Sequence, residues 1–181
     1  GFSTKKTMVV AQQLYEGIDI KGEGTVGLVS YIRTDSTRLS EEAKTDAKNY
    51  IIEKYGEQYY RKNGLQTKTD KKVQDAHEGI RPTSAFREPD LIKGSLNKDQ
   101  YKLYSLIWNR FIASQMEPAL YETVTIEISA GDYLFRASGS SIKFKGYLLV
   151  YSEGKDGKED EKDVILPELE EGQTLKLKKL V

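Results

Sequence analysis

The residues best suited to chemistry are Tyr31 and Arg33, two positions apart in Ser30-Tyr31-Ile32-Arg33-Thr34-Asp35-Ser36. In an extended segment residues i and i+2 face the same side, so a phenol and a guanidinium would stand together. A phenol, with a reference pKa near ~10, is more acidic than a serine hydroxyl and is the better leaving group when a covalent ester must be reversed. A guanidinium fork beside it suits the clasping of a phosphate and the calming of charge at phosphorus, a task worth roughly 3 kcal/mol for one well-aimed donor. Thr34, Asp35 and Ser36 follow as short hydrogen-bonding groups, and Asp35 fits an orienting partner better than a base. The competing assignment of Arg33 is a plain ion pair with Asp35 or another acid.

About forty residues further on, Gln74-Asp75-Ala76-His77-Glu78-Gly79-Ile80-Arg81-Pro82-Thr83 holds the chain's one histidine between two carboxylates. Such neighbours favour the imidazolium, so His77 can face a phosphate near neutral pH, and Arg81 adds a permanent charge. The alternatives are a helix cap or a solvent-exposed ring for His77 and an acidic partner for Arg81. Asp75, His77 and Glu78 alone are too few ligands for a metal site.

Together the two segments resemble the signature stretches of the type IA DNA topoisomerases of bacteria. Thr4-Lys5-Lys6-Thr7-Met8, Ala11-Gln12-Gln13-Leu14-Tyr15-Glu16, Tyr104-Ser105-Leu106-Ile107-Trp108 and Gln115-Met116 extend the likeness in order along the chain. The resemblance implies that Tyr31 is the nucleophile, joining a 5′ phosphate of DNA while a strand passes through the gap, and that His77 and Arg81 hold DNA phosphate. It further implies that Gln12 and Glu16 line the tyrosine's surroundings. Gly79 departs from the alanine usual in the family, a change that loosens a helical turn by about 1 kcal/mol.

The family joins its tyrosine domain to an acidic TOPRIM domain that binds Mg2+, and no stretch here supplies that cluster. The expectation is therefore an excised central part of such an enzyme, without a metal site of its own, that binds single-stranded DNA weakly. Relaxation of negative supercoils then requires the rest of the same polypeptide, and the part alone is expected to be inactive. A non-catalytic single-stranded nucleic-acid-binding or gate module is the alternative. Tyrosine recombinases and relaxase-like nickases call for several histidines and arginines or a histidine-bound metal, which one histidine does not provide.

Composition is compatible with all of this. The 181 residues are 38% hydrophobic with 12 tyrosines, ample for a packed core. No apolar run approaches the ~20 residues needed to cross a bilayer, so no membrane association and a soluble, cytoplasmic protein are expected. The absence of cysteine removes disulfides and thiolate zinc sites. The 28 basic and 28 acidic side chains balance, but residues 1–117 carry 19 basic against 16 acidic and residues 118–181 carry 9 against 12, giving +3 and −3. That imbalance is too small to demand or exclude a polyanionic partner.

The elements that must position these groups can be read from periodicity. Ser3 caps a helix to about Glu16, closed by Gly17; Ser40, followed by Glu41 and Glu42, caps a second that stops at Gly56. Asn97 and Gln100 form a capping box ahead of a third, whose aromatic stripe from Tyr101 to Phe111 reads as core rather than a base-stacking platform. Between the first two, Ile18 to Gly27 reads as a flexible glycine-rich connection, since it lacks the Gly-Lys-Thr/Ser ending of a phosphate loop. Residues 62–74 read as a mobile surface excursion, and Asp75 as the cap of a short helical turn. After Pro118 the period changes to two, predicting strands at Val124–Ile128, Tyr133–Ser138, Ile142–Tyr151, Val164–Leu166 and Thr174–Leu180, with a charged loop from Ser152 to Asp163. The fold class expected is α+β, with a helical, tyrosine-bearing domain over 1–117 and an antiparallel β segment over 118–181. By the resemblance, the latter is half of the arch that hinges the gate of the toroidal enzyme.

Overall fold

A computed structural model describes residues 1–62, 78–152 and 166–179. The architecture is α+β, with helices α1 (Thr4–Glu16), α2 (Glu41–Tyr55) and α3 (Lys98–Ser114) and two small antiparallel sheets, β1–β2 (Ile18–Ile20, Gly24–Val26) and β3–β4 (Leu120–Ala130, Tyr133–Phe144). Two compact units result. One takes Gly1–Pro118 with Lys145–Glu153, the other Ala119–Phe144 with Gly154–Val181.

Each helix of the first unit starts where a side chain satisfies its unpaired N–H groups. The Ser3 and Ser40 hydroxyls accept from Lys6 and Ala43 at 3.3 Å. Asn97 and Gln100 complete a reciprocal capping box on α3, with Gln100 N–H on Asn97 Oδ1 at 2.9 Å and Asn97 N–H on Gln100 Oε1 at 3.0 Å. The helices bury one stripe each: Val10, Ala11 and Leu14 from α1, Ala43, Ala47, Tyr50 and Ile51 from α2, and Leu103, Tyr104, Trp108, Phe111 and Ile112 from α3. Leu28, Val29 and Ile32 enter the same core from the connection between α1 and α2. Two polar groups of the core find backbone partners there: Trp108 Nε1 donates to Ala85 O at 2.9 Å and the Tyr104 hydroxyl to Arg87 O at 2.7 Å.

The connection after α1 is structured rather than flexible. Ile18, Asp19 and Ile20 pair antiparallel with Val26, Thr25 and Gly24, because Gly22 and Gly24 adopt positive φ through the turn and Ile20 is buried. Glu23 at its tip is held by Arg87 at 2.8 Å.

In the second unit β3 and β4 form one long hairpin. Its two-residue loop, Gly131-Asp132, has positive φ only at Gly131, the requirement of a type II′ turn that matches the strands' twist. Val124, Ile126 and Ile128 pair with Gly139, Ala137 and Phe135 on one face, while Thr123, Thr125 and Glu127 pair with Ser140, Ser138 and Arg136 on the other. The sequence pattern suggested two strands across residues 133–151. Instead β4 runs unbroken to Phe144, and the chain then tightens into a 3-10 turn at Gly146–Leu149 within the helical unit. The reason is local: Gly146 has φ +49 with its Cα against the carbonyls of Glu117 and Pro118, and Tyr147 N–H donates to Glu117 O at 2.9 Å. Residues 166–179 form no strand; Val164, Ile165 and Leu180, like the excursion expected from Asn63 onward, the cap expected at Asp75 and most of the loop expected from Ser152 to Asp163, lie outside the described residues.

Candidate active site

Three contacts bring the chain back beneath the end of α1. Gly17 closes the helix with its N–H on Gln13 O at 3.1 Å, Leu28 N–H donates to Leu14 O at 2.7 Å, and Gly27 passes so close that a Cβ there would stand 2.9 Å from the Tyr15 carbonyl oxygen. The returning segment then forms a short antiparallel ladder with residues 81–83. Thr83 N–H donates to Leu28 O at 3.0 Å, Ser30 N–H to Arg81 O at 2.9 Å, and Val29 bridges Pro82. Ser30 ties it further, its hydroxyl donating to Gly79 O and accepting from Arg81 N–H, both at 2.9 Å. The two sequence signatures, far apart in the chain, are thus joined backbone to backbone at Ser30.

Beyond Ser30 the residues alternate in exposure. Ile32 and Ser36 are buried, whereas Tyr31, Arg33 and Asp35 are exposed, Tyr31 at 47%. The spacing that placed a phenol and a guanidinium on one side is therefore matched by their common exposure. Arg33 forms no ion pair with Asp35 or with any other described residue. Thr34 Oγ1 accepts from Ser36 N–H at 3.0 Å, and Ser36 Oγ from Arg38 N–H at 3.2 Å, so the short polar residues fold the turn onto itself.

The other candidates are arranged differently. Gln12 and Glu16 bond to one another on α1, Nε2 to Oε1 at 2.6 Å. Arg81 is largely buried and engaged: Nε donates to Glu78 Oε2 at 2.7 Å and Nη1 to Pro82 O at 3.1 Å. The acidic partner considered for it is thus real. Burial is the largest influence on Glu78 and pushes its pKa up, but the bonds from Arg81 and from Ser40 at the head of α2 outweigh it and hold the carboxyl below its usual value. Arg81 also lines a hollow of about 550 Å³ with Glu41, Glu42 and Asp46 from α2. His77 lies outside the described residues. Its successors are anchored, since Gly79 N–H donates to Arg38 O at 2.8 Å.

Ile32 and Ser36 line a larger cleft of about 1060 Å³ together with Ile107 and Phe111 of α3 and with Lys44, Lys48, Lys62 and Arg110. Among the described residues no group of three or more His, Cys, Asp or Glu side chains could hold a metal ion, and no helix is long and apolar enough to cross a membrane.

A residue in contact with the candidate nucleophile is Tyr15, which the sequence names within a resemblance segment and at the spacing of a buried stripe, without a role in the site; it is 38% exposed instead. The Tyr15 ring stands edge-on to that of Tyr31, centroids 5.5 Å apart and planes at 67°. Its helical position beside Gln12 and Glu16 was the available signal. The sequence offers Glu78 as a neighbour of His77 and as a metal ligand, and the structure makes it the partner of Arg81.

The chain is thus an α+β fold in which a segment displaying a tyrosine and an arginine is stitched to a second signature segment. The DNA topoisomerase family matches over residues 1–181, and the chain belongs to it. The bacterial type IA branch is the relevant one. The chain is similar to the full-length topoisomerase I of Thermotoga maritima, with 41% identity and a TM-score of 0.71 over 89% of this chain and 26% of that one.

Proposed function

We propose that this chain is the tyrosine-bearing segment of a longer type IA topoisomerase that cuts and rejoins one DNA strand to relax negative supercoils. The observation that carries the reading is the joint exposure of Tyr31 and Arg33 immediately after Ser30, which fastens them to the Glu78–Pro82 segment. In the forward step the Tyr31 oxygen bonds to phosphorus and the bond from phosphorus to the 3′ oxygen breaks. That oxygen leaves as a hydroxyl, its proton balancing the one lost by the phenol, and the 5′ phosphate stays on the enzyme as a phosphotyrosine ester. The reverse attack by the 3′ hydroxyl restores the strand, so the bond energy is kept and no water is consumed.

Arg33 stabilises the extra charge on the phosphoryl oxygens as phosphorus becomes five-coordinate. Arg81, with Nε and Nη1 occupied, retains its Nη2 hydrogens for a neighbouring phosphate. His77 is assigned a phosphate contact by resemblance alone, and Gln12, Glu16 and Asp35 supporting roles. In this reading Mg2+ is held by an acidic TOPRIM domain elsewhere in the intact enzyme. In this reading the β3–β4 hairpin is part of the gate arch.

The test is a mixture of this chain with the amino-terminal part of the enzyme, Mg2+ and a labelled single-stranded oligonucleotide. A detergent-resistant adduct is expected, abolished by Tyr31→Phe, and no supercoil relaxation by the chain alone. If Tyr31→Phe retains the adduct, another nucleophile is at work. Lack of an adduct in the unmodified mixture would favour a non-catalytic nucleic-acid module.

A further inference from the structure

We propose that Tyr15 is the positioning residue of this site: its ring fences one side of Tyr31 and sets the plane from which the phenol oxygen approaches phosphorus. The proposal rests on the reading of Tyr31 as the nucleophile. A tyrosine ring has only two rotatable bonds, but a half-exposed one sweeps a wide arc unless a neighbour restricts it. Tyr31 is exposed at 47%, and the Tyr15 ring is set edge-on to it, at 5.5 Å and 67°. Edge-to-face geometry is an attractive arrangement of two quadrupoles, so the pair has a preferred orientation as well as a contact.

Tyr15 contributes little to the core. It is itself 38% exposed and lies off the buried stripe of Val10, Ala11 and Leu14. Its backbone, in contrast, is fixed against the segment leading to Tyr31. The Leu14 carbonyl holds Leu28 N–H at 2.7 Å, and the Tyr15 carbonyl faces Gly27, where only hydrogen fits. The end of α1 therefore carries both the rail on which the Tyr31 segment runs and the ring that limits the Tyr31 side chain. In-line attack tolerates little misplacement, and an error of about 1 Å can cost on the order of a hundredfold in rate.

The experiment compares Tyr15→Phe and Tyr15→Leu at two levels. In the 181-residue chain with ring-labelled tyrosine, NMR should show the Tyr31 ring signals displaced by Tyr15→Leu and retained by Tyr15→Phe. In the intact enzyme, Tyr15→Leu should slow adduct formation on an oligonucleotide by about tenfold or more at saturation while leaving its dissociation constant unchanged, and Tyr15→Phe should restore the rate. Unchanged rates in Tyr15→Leu would overturn the positioning role while leaving Tyr31 as nucleophile. A loss equally severe in Tyr15→Phe would also overturn it, pointing to the hydroxyl. Survival of the adduct in Tyr31→Phe would instead sink the reading on which the proposal rests.

Discussion

Ser30 and Arg81 hold each other twice, Ser30 N–H on Arg81 O and Arg81 N–H on Ser30 Oγ, each at 2.9 Å. One small side chain thereby closes the gap between two signatures about fifty residues apart. Ser30→Ala would leave the Arg81 N–H and the Gly79 carbonyl short of a partner in a partly buried setting, at a cost of roughly 1–3 kcal/mol. At about 2–4 °C per kcal/mol for a protein of this size, the melting temperature should fall by several degrees. Thermal unfolding followed by circular dichroism checks this, and a shift under one degree would mean the link is ornamental.

Gly27 offers a steric test of the same region. Its missing Cβ would lie 2.9 Å from a backbone oxygen, which cannot rotate away as a side chain would. Gly27→Ala should therefore destabilise by about 1–3 kcal/mol through overpacking. The Tyr31 ring signals should move as well, since the rail and the ring share α1. A variant as stable as the parent would show that the helix end gives way freely.

The helices were legible in the sequence because their signals are local. Ser3, Ser40 and the Asn97/Gln100 pair each act within one turn, and Gly17 and Gly56 close helices at positive φ. What was not legible depended on distant partners. Ile18–Val26 has the glycines of a loose loop, yet Ile20 finds the core and Arg87, sixty-four residues on, secures Glu23. Period two continued past Phe144, but Gly146 turns against the carbonyls of Glu117 and Pro118, a close approach no pattern announces. Within the site, the i, i+2 relation of Tyr31 and Arg33 and an acidic partner for Arg81 were readable, whereas which carboxylate engages Arg81 and the packing of Tyr15 on Tyr31 were not, as both depend on which rotamer the fold permits.

Acid should loosen the junction of α2 with the Glu78 segment. The Glu78 carboxyl has a folded pKa below its unfolded value, the bonds from Arg81 and Ser40 prevailing over burial. Such a group binds protons more readily when unfolded, so its contribution is fully present above the unfolded value of about 4.3 and disappears as pH falls through the folded value. Melting temperatures measured from pH 7 down to pH 3 should drop more steeply for the parent than for Glu78→Gln. Parallel profiles would assign the acid sensitivity to other carboxylates.

The two arginines should separate by phenotype. Arg33 is exposed and has no ion pair among the described residues, whereas Arg81 is largely buried and tied to Glu78 and Pro82. A guanidinium that acts on developing charge contributes at the transition state, so Arg33→Ala should slow adduct formation by about 10²–10³ with oligonucleotide affinity nearly unchanged. Its melting temperature should stay within a degree or two of the parent, as expected of a surface side chain. Arg81→Ala strips a partly buried carboxylate of its partner and should chiefly lower stability, by about 1–3 kcal/mol. Side-by-side measurement of adduct rate, affinity and thermal unfolding decides the matter. If Arg33→Ala loses affinity in proportion to rate, its role is ground-state binding, and charge stabilisation at phosphorus must come from elsewhere in the enzyme.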